Sequence, residues 1–357
     1  MRVDLLRVDG LRNLRELEWR PGPGLNLLIG ANGAGKTSIL EAVYCLGSGK
    51  SFRTAQREAL ITRGARRAIL YAELELGGRR RRVGLERGRE SWRGLVDGER
   101  VQDLGALALC LPVVCFSPES HELVAGGAEG RRRFLDWLGF HLSPDFRERH
   151  RRYARALRQR NALLKTEADP LQWRTWTEEA ARSGEALEAE RRACFEVFRA
   201  AMQPRLQELI GEMGELALSY RRGWREGVSL LERLEMLAER ERVVGHSMAG
   251  PHRADWEVVV AGHRAREQTS RGQQKLVALA AVMSAAALYA VAKGEAPLIL
   301  LDDLASELDH EHQCRALQAL AALNAQVWLT GTSVPASTTS WPGELSMFHV
   351  EQGFVRA

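Results

Sequence analysis

The stretch GANGAGKT, residues Gly30–Thr37, constrains the fold of this 357-residue chain more than any other feature. It matches the pattern G-x-x-x-x-G-K-[ST], and it lies between an apolar strand-like run, GLNLLIG, and a helical run, KTSILEAVYCLG. Glycines let successive backbone N–H groups point at phosphate oxygens, and the first turn of the following helix adds a partial positive charge. The alternative, a glycine turn with an incidental lysine, needs neither a strand before it nor a helix after it. The sequence therefore predicts a phosphate-binding loop, or P-loop.

The residue types within the P-loop indicate how it would hold a nucleoside triphosphate and a magnesium ion. We expect Lys36 to bridge the terminal phosphates of ATP, and the hydroxyl group of Thr37 to bind Mg²⁺. Backbone N–H groups along the loop would bind the other phosphate oxygens. The predicted ATP-binding residues are Gly30, Ala31, Asn32, Gly33, Ala34, Gly35, Lys36 and Thr37.

A second signal for the same kind of site is PLILLDD, residues 297–303, in which an apolar strand ends on two aspartates. Asp302 is in the position of a carboxylate that orients the Mg²⁺ shell. Asp303 would then stand where a general base can polarise the attacking water. An apolar strand followed by aspartate is common, so this pattern indicates a nucleotide site only because the chain also contains the P-loop.

The hexad SRGQQK, Ser270–Lys275, precedes an uncharged run of seventeen residues, Leu276–Ala292. Taken alone, the hexad is equally typical of an ordinary polar helix start. The uncharged run would extend about 26 Å as a helix, less than the ~30 Å hydrocarbon thickness of a bilayer. We therefore predict the buried body of a core helix rather than a membrane anchor.

The cysteines and the N-terminal stretch indicate the compartment. None of the five cysteines lies in a CxxC pair or near a histidine at zinc-ligand spacing, so we expect buried, reduced thiols. The stretch MRVDLLRVDG carries charges and lacks the apolar core of a signal peptide. The expectation is a cytoplasmic protein without a membrane partner.

The organisation along the chain is strand-rich at both ends and helical in the middle. Glycine turns at 77–78 and 97–98 predict antiparallel hairpins, and a helical texture begins near residue 130, punctuated by Pro144, Pro170 and Pro204. Strands are expected at 215–222 and 255–262, and a final strand in SMFHVEQGFV. The predicted segments are 1–125, 126–247 and 248–357, an α/β core interrupted by a helical arm.

The order of these motifs resembles that of the ABC-type ATPases. SRGQQK is similar to their signature sequence, and SELD, residues 306–309, is similar to their D-loop. The resemblance implies an α/β fold, an ATPase head with a mixed sheet and an antiparallel β meander, interrupted by an inserted, mostly helical arm. It also implies that Ser270, Gly272 and Gln273 bind the γ-phosphate held by the P-loop of a second subunit. The catalytic residues would then be Lys36, Asp302, Asp303 and Ser270.

The spacing of the motifs indicates which branch of the ABC-type ATPases the chain resembles. Thr37 and Ser270 are 233 positions apart, far more than in the ATPase subunits of transporters, and the helical arm fills the gap. Further stretches resemble the RecF family over nearly the whole chain. They are LRVDGLRNL, GKSFRT, CFSPESHELVAGGAEGRRRFLD, AGPHRADWEVVVAGH and LLDDLASELD.

The resemblance to the RecF family implies an ATP-dependent DNA-binding protein of replication and recombinational repair. Such a protein dimerises with ATP and favours duplex DNA or a junction between single- and double-stranded DNA. It works with RecR and RecO to load recombinase at gaps. Its slow, DNA-stimulated ATPase activity times its release. Arg12 and Asn13 match the family's nucleotide-proximal motif.

The chain departs from the motif pattern of transporter ATPases at three points. WLTGTS has Thr330 and Thr332 but no switch histidine, no Q-loop glutamine is identifiable, and Asp303 replaces the usual glutamate. An energising ATPase subunit of a transporter is the main alternative, and the motif spacing argues against it. A P-loop kinase would have no use for the signature hexad or for SELD.

The best candidate surface for DNA lies in FRERHRRYARALRQR. In a helix, Arg147, Arg151, Arg155 and Arg158 would share one face over about 16 Å, enough for several phosphates. The alternative is a solvated face, since the chain is rich in arginine throughout and Glu148 lies beside these residues. No residue pattern here indicates readout of a base sequence.

Overall fold

The computed structural model describes residues 1–54, 56, 58–166 and 169–356, and the chain divides into two compact units. The first unit comprises Met1–Ser120 and Arg271–Ala357, and the second is His121–Ser270. Residues 248–270, which the sequence analysis groups with the C-terminal segment, therefore lie in the second unit. The reason is that the strand from Asp255 pairs along its length with the strand from Leu216.

The secondary structure of the described residues is numbered here in chain order. The strands are β1 (Arg2–Leu11), β2 (Leu14–Trp19), β3 (Leu25–Ile29), β4 (Arg67–Leu76), β5 (Arg79–Gly88), β6 (Trp92–Val96), β7 (Glu99–Arg100), β8 (Val113–Phe116), β9 (Leu216–Arg221), β10 (Asp255–Val260), β11 (His263–Arg264), β12 (Leu298–Leu301), β13 (Val327–Gly331), β14 (Leu345–Glu351) and β15 (Phe354–Arg356). The helices are α1 (Lys36–Ser48), α2 (Gly105–Cys110), α3 (Glu122–Ala125), α4 (Ala128–Leu142), α5 (Phe146–Leu163), α6 (Pro170–Ile210), α7 (Leu230–Met236), α8 (Ala238–Val244), α9 (Ala265–Gln268), α10 (Arg271–Lys293), α11 (Leu304–Glu307) and α12 (His310–Ala321).

Two sheets build the first unit. One has the order β15-β14-β3-β13-β12-β8, and all its neighbouring pairs are parallel except the antiparallel β14–β15 pair. The other, β2-β1-β4-β5-β6-β7, is antiparallel throughout. Its hairpin turns at Gly77–Gly78 and Asp97–Gly98 have positive φ at both residues, as tight two-residue turns require. The mixed sheet and the β meander confirm the predicted architecture.

Helix α1 joins the two sheets into one apolar core. It contacts β1 and β4 of the antiparallel sheet and β8 and β13 of the mixed sheet. Leu40 and Val43 of this helix are fully buried in that core. Trp19 of β2 reaches across to Trp328 of β13, with ring centroids 4.5 Å apart. The helix that follows the P-loop is therefore held on both sides.

The uncharged run after the signature hexad forms the interior of α10. Of the described residues, this is the one helix long and apolar enough to cross a membrane by length and composition. Its residues Leu276–Ala286 are buried within the protein. The prediction of a buried core helix is confirmed for Leu276–Ala286, whereas Val291 and Ala292 at the end of the predicted run are exposed.

The second unit is mainly helical and is built around α6, whose 41 residues extend about 60 Å. Asp169 caps its start by accepting a hydrogen bond from the Gln172 N–H. The prediction that Pro204 interrupts the helix is wrong, since α6 continues through it to Ile210. Met202 and Leu206 flank the proline and are fully buried, so tertiary packing offsets the backbone hydrogen bond that proline cannot make.

The C-terminal stretch SMFHVEQGFV, predicted as one strand, forms a hairpin instead. Gln352 and Gly353 both have positive φ and reverse the chain between β14 and β15. A Cβ atom on Gly353 would lie 2.7 Å from the carbonyl oxygen of Asn13, so this turn needs glycine for close approach as well. The Gly353 N–H donates to the carbonyl of Ala34, which ties the hairpin to the P-loop.

Hydrogen bonds of His252 link the stretch AGPHRADW to two other parts of the second unit, Ser247 and Tyr153. His252 Nε2 lies 2.9 Å from the Ser247 carbonyl oxygen, which can only accept, so Nε2 carries the proton. His252 Nδ1 then accepts from the Tyr153 hydroxyl group at 2.6 Å. Burial lowers the pKa of His252 to about 4. The imidazole is therefore neutral in the folded protein at neutral pH.

We expect the free energy of unfolding to fall as the pH is lowered from about 6.5 to about 4. In that range the unfolded chain takes up a proton on His252 and the folded chain does not, so acid favours unfolding by up to roughly 3 kcal/mol. Chemical denaturation across the range measures the slope. A His252→Gln variant should have a clearly smaller slope, with the remainder due in part to His150, whose pKa burial also lowers, whereas His246→Gln, at an exposed histidine, should keep the full slope. Equal slopes in all three proteins would contradict the assignment.

Candidate nucleotide-binding site

The P-loop follows directly from the central position of β3. This strand lies between β13 and β14 and is buried along its whole length. Gly33 and Gly35 have φ values of 81° and 117°, which are accessible mainly to glycine. A Cβ atom on Gly30 would lie 2.2 Å from the carbonyl oxygen of Val350. The glycines of the motif are thus required by backbone conformation and by close approach.

Lys36 begins α1, and its side chain folds against the loop. Its ammonium group donates to the carbonyl oxygens of Gly30 at 2.7 Å and of Ala31 at 2.9 Å. Burial lowers the pKa of Lys36, while the carboxylates of Asp303 and Asp302 act in the opposite direction. The only lysine of the loop therefore lies inside it, close to both aspartates.

Thr37 and Asp302, far apart in sequence, meet at the carboxyl edge of the mixed sheet. The Thr37 hydroxyl group donates to Asp302 Oδ1 at 2.9 Å across 265 positions. Asp302 follows β12, and its backbone N–H donates to the carbonyl of Phe116, at the end of β8. Burial raises the pKa of Asp302, and hydrogen bonds from Thr330 and Thr37 oppose this shift. The structure brings together the two residues predicted to hold Mg²⁺.

Asp303 takes a left-handed backbone conformation, with a φ of 53°. Its backbone N–H donates to Thr330 Oγ1 at 2.9 Å, and the Thr330 hydroxyl group donates in turn to Asp302 Oδ1 at 2.7 Å. Sequence reasoning assigned no role to Thr330. A polar residue near the end of an otherwise apolar strand, QVWLTG, is the signal that could have found it.

Asn13, expected near the nucleotide, braces the P-loop from the β1–β2 turn. Its amide group donates to the carbonyl of Gly33 at 3.1 Å, and its amide oxygen accepts from the Ser38 hydroxyl group at 2.9 Å. The neighbouring Arg12 also turns to α1, where it makes a two-pronged ion pair with Glu41 at 2.8 and 2.9 Å. Both residues of the predicted motif are therefore bonded to the P-loop or to its helix.

Glu41 was missed by the sequence analysis and lies at the centre of a polar cluster. Its side chain is fully buried, one helical turn after Thr37, and it binds Arg12 as well as the hydroxyl group of Ser51. Arg53 lies 3.6 Å from the same carboxylate. A single carboxylate inside the apolar run SILEAVYCLG is the sequence signal for such a buried ion pair.

The signature hexad opens α10, which begins at Arg271. Ser270 and Gly272 are exposed, and Gln273 is half-buried. Ser270 is the last residue of the second unit, and Gly272 and Gln273 belong to the first unit. Lys275 forms an ion pair with Glu307 of SELD, and both side chains are largely buried. The helix start is thus linked directly to the predicted D-loop.

A groove of about 1380 Å³ lies between α5 and α6 in the second unit. The four predicted DNA-binding arginines all line it, namely Arg147, Arg151, Arg155 and Arg158. On the α6 side, Glu179 accepts hydrogen bonds from Arg152 and Arg182, which lower its pKa to about 2. Within the described part of the chain, Arg155 and Arg158 make no ion pair. Positive charge therefore lines the α5 wall of the groove.

The donor set at the sheet edge suits a small divalent cation beside a phosphate. The hydroxyl oxygen of Thr37 and the carboxylate of Asp302 are the hard oxygen ligands that Mg²⁺ prefers. The lysine and the loop N–H groups supply positive charge for phosphate oxygens. This combination fits the binding and hydrolysis of a nucleoside triphosphate.

Comparisons with known proteins agree along the whole chain. Residues 2–340 match the RecF/RecN/SMC N-terminal domain family. The DNA replication and repair protein RecF of Xanthomonas euvesicatoria pv. vesicatoria is 45% identical, with 99% of this chain and 98% of that protein covered. RecF of Stenotrophomonas maltophilia is 42% identical, with both chains covered in full.

Solved structures show the same fold. The recombination mediator protein RecF-ATP in the RecFOR pathway matches with a TM-score of 0.87 at 24% identity, covering 99% of this chain and 97% of that one. An Smc head domain derived from Pyrococcus furiosus matches with a TM-score of 0.58 at 14% identity, covering 99% and 95%. The predicted ABC-type ATPase-head fold is confirmed.

Replacing Glu41 with alanine should lower the free energy of unfolding by about 3 kcal/mol, because Arg12 would lose its partner at a largely buried position. Thermal or chemical denaturation measures the loss. The matched control is Glu86→Ala, which removes an exposed ion pair with Arg67 in the same unit and should leave stability nearly unchanged. Similar losses of unfolding free energy in both variants would contradict the prediction that the buried Glu41 cluster stabilises the fold more than an exposed ion pair.

Proposed function

We propose, from the premise that this chain belongs to the RecF family of DNA replication and repair proteins, that it binds and slowly hydrolyses ATP. ATP would join two copies of the chain on DNA, and hydrolysis would release them. The observation that carries this proposal is the hydrogen bond between the Thr37 hydroxyl group and the Asp302 carboxylate. This hydrogen bond places an oxygen ligand from the P-loop beside a carboxylate from the end of β12.

ATP binding is proposed for the P-loop and its brace. The loop N–H groups would bind phosphate oxygens, and Lys36 would exchange its carbonyl partners for the terminal phosphates. Thr37 and Asp302 would hold Mg²⁺, which when bound neutralises charge on the phosphates. Asn13 keeps the loop in shape through Gly33.

Hydrolysis is proposed to use Asp303 as the general base for the attacking water. Its backbone is fixed by Thr330, and the carboxylate lies close enough to Lys36 to affect the pKa of that lysine. ATP held between two chains stabilises the pair by mass action, so its hydrolysis acts as a release step. A slow, DNA-stimulated reaction fits this timing role.

Pairing of two chains is proposed because Ser270 and Gly272, at the start of the signature helix, are exposed and can contact a neighbouring molecule. Ser270, Gly272 and Gln273 would bind the γ-phosphate held by the P-loop of a second copy. The ion pair between Lys275 and Glu307 supports this by linking the signature helix to SELD.

DNA binding is proposed for the α5 wall of the groove in the second unit. Arg155 and Arg158 are exposed and line the groove beside Arg147 and Arg151. Cationic side chains spaced along a helix bind phosphates without reading bases. Duplex DNA or a junction of single- and double-stranded DNA is the expected substrate.

The partners proposed for this chain follow from the solved neighbour, which is described as a recombination mediator in the RecFOR pathway. RecR and RecO are the proposed partners, and loading of recombinase at single-strand gaps is the proposed outcome. No described feature favours the alternative of a transporter ATPase over this role.

Two variants test separately the two parts of the proposed shared site: Lys36→Arg alters the P-loop, and Ser270→Arg alters the signature. We expect the wild type to dimerise and bind duplex DNA when ATP is added. Lys36→Arg should lose both behaviours because its own P-loop fails. Ser270→Arg should still bind ATP but dimerise at least about tenfold more weakly. Light scattering and DNA-binding assays with and without ATP measure these differences.

The matched control is Ser219→Arg, at an exposed serine on β9, which should dimerise like the wild type. Normal ATP-dependent dimerisation of Ser270→Arg would show that the signature does not act on a second chain.

The double variant Arg155→Ala/Arg158→Ala should weaken DNA binding and make it less sensitive to salt. Each lost phosphate contact lowers the slope of log K against log salt by about 0.9, so the slope should fall by about 2 in total. Fluorescence anisotropy over a salt series measures it. Arg199→Ala, which removes an exposed, ion-paired arginine of α6, should leave the slope unchanged. An unaltered slope in the double variant would exclude this groove wall.

A further inference from the structure

We propose that Thr330 is a positioning residue for ATP hydrolysis: its one hydroxyl group orients the Asp302 carboxylate and the Asp303 backbone together. This role rests on the proposed ATPase function. Thr330 belongs to β13 and lies outside the P-loop, the aspartate pair and the signature.

The hydroxyl group of Thr330 is used in both directions. It donates to Asp302 Oδ1 at 2.7 Å and accepts from the Asp303 N–H at 2.9 Å. A threonine hydroxyl offers one donor and two acceptor sites, so both bonds form at once. Thr330 is almost completely buried, so water does not readily replace it.

The register of the mixed sheet explains why these groups meet. β12 and β13 are parallel neighbours, with Leu301 opposite Leu329. The next residues in each strand direction are Asp302 and Thr330, which therefore lie side by side at the carboxyl edge. The hydroxyl group is brought to the aspartates by the fold, 28 positions away in sequence.

The two hydroxyl groups that bind Asp302 act on the same oxygen. Both Thr37 and Thr330 donate to Oδ1. Among the described residues no hydrogen bond uses Oδ2, so the second oxygen is free for a cation or a water molecule. Removing the Thr330 bond leaves Thr37 as the one hydroxyl donor to Asp302 among the described residues, which restrains rotation about the Cβ–Cγ bond less.

The bond to Asp303 holds a conformation that an aspartate adopts less readily than glycine. Its φ of 53° lies in the left-handed region, and the backbone angle sets the direction of the Cα–Cβ bond. Thr330 is the acceptor for the N–H of this residue. The same hydroxyl group therefore controls the direction in which the proposed general base leaves the strand.

The test compares Thr330→Val, which keeps the shape and loses the hydroxyl group, with Thr330→Ser, which keeps the hydroxyl group. Thr332→Val is the matched control, because Thr332 is exposed two residues further on. For each protein, kcat, KM, the melting temperature, and ATP affinity with and without Mg²⁺ are measured. We expect Thr330→Val to lower kcat on the order of 100-fold through misplacement of the aspartates.

The other measurements separate positioning from folding. ATP affinity without Mg²⁺ should change little in Thr330→Val, whereas the gain in affinity on adding Mg²⁺ should shrink. Thr330→Ser should restore kcat, and Thr332→Val should stay within about twofold of the wild type.

Three outcomes would overturn the inference. They are a Thr330→Val protein with a wild-type kcat, a folded Thr330→Ser protein as slow as Thr330→Val, or an unchanged Mg²⁺ effect on ATP affinity. If Thr330→Val fails to fold, the serine variant decides between the hydroxyl group and packing of the methyl group. A wild type that neither binds nor hydrolyses ATP would instead contradict the proposed function, and the positioning role with it.

Discussion

The carboxylate of Asp302 is only 4% exposed, and a charged group in such a place must be hydrogen-bonded to remain stable. It accepts hydrogen bonds from two separate segments: the hydroxyl groups of Thr37 at the start of α1 and of Thr330 in β13. Thr330 reaches the carboxylate because β13 is the parallel neighbour of β12. The site is therefore a consequence of strand order.

The antiparallel sheet contributes to the site indirectly, by holding the P-loop in shape. Asn13 bonds to the loop and Arg12 bonds to Glu41 on α1. The β14–β15 turn closes on the same place, since Gly353 packs against Asn13 and bonds to Ala34. The loop thus has braces from both sheets, which preorganises it for phosphate without using any phosphate-binding group.

The many arginines of this chain divide into two groups that composition cannot distinguish. In the second unit, several are buried in ion pairs, including Arg131 with Asp255, Arg160 with Glu241, and Arg191 with Asp136. These hold elements together and are not available to DNA. Arg155 and Arg158 on the α5 groove differ because both are exposed and neither makes an ion pair with the described residues. A count of positive charge therefore overstates the surface available to a polyanion.

Local pattern in the sequence was sufficient for the strand and helix around the P-loop, the aspartate-bearing strand and the buried part of α10. Each of these depends on residues that are neighbours in sequence, so periodicity and glycine positions determine them. Local rules failed where distant packing prevailed, as at Pro204, which remains inside α6, and at Gly353, which turns the final hairpin.

The sequence by itself therefore determined which residues can bind phosphate and a cation, because that chemistry is a property of residue type and short spacing. Only the tertiary structure decided which residues support them. Glu41 and Thr330 act through partners 29 and 28 positions away, and such pairs exist only once parallel strands are in register and α1 is seated between its two sheets.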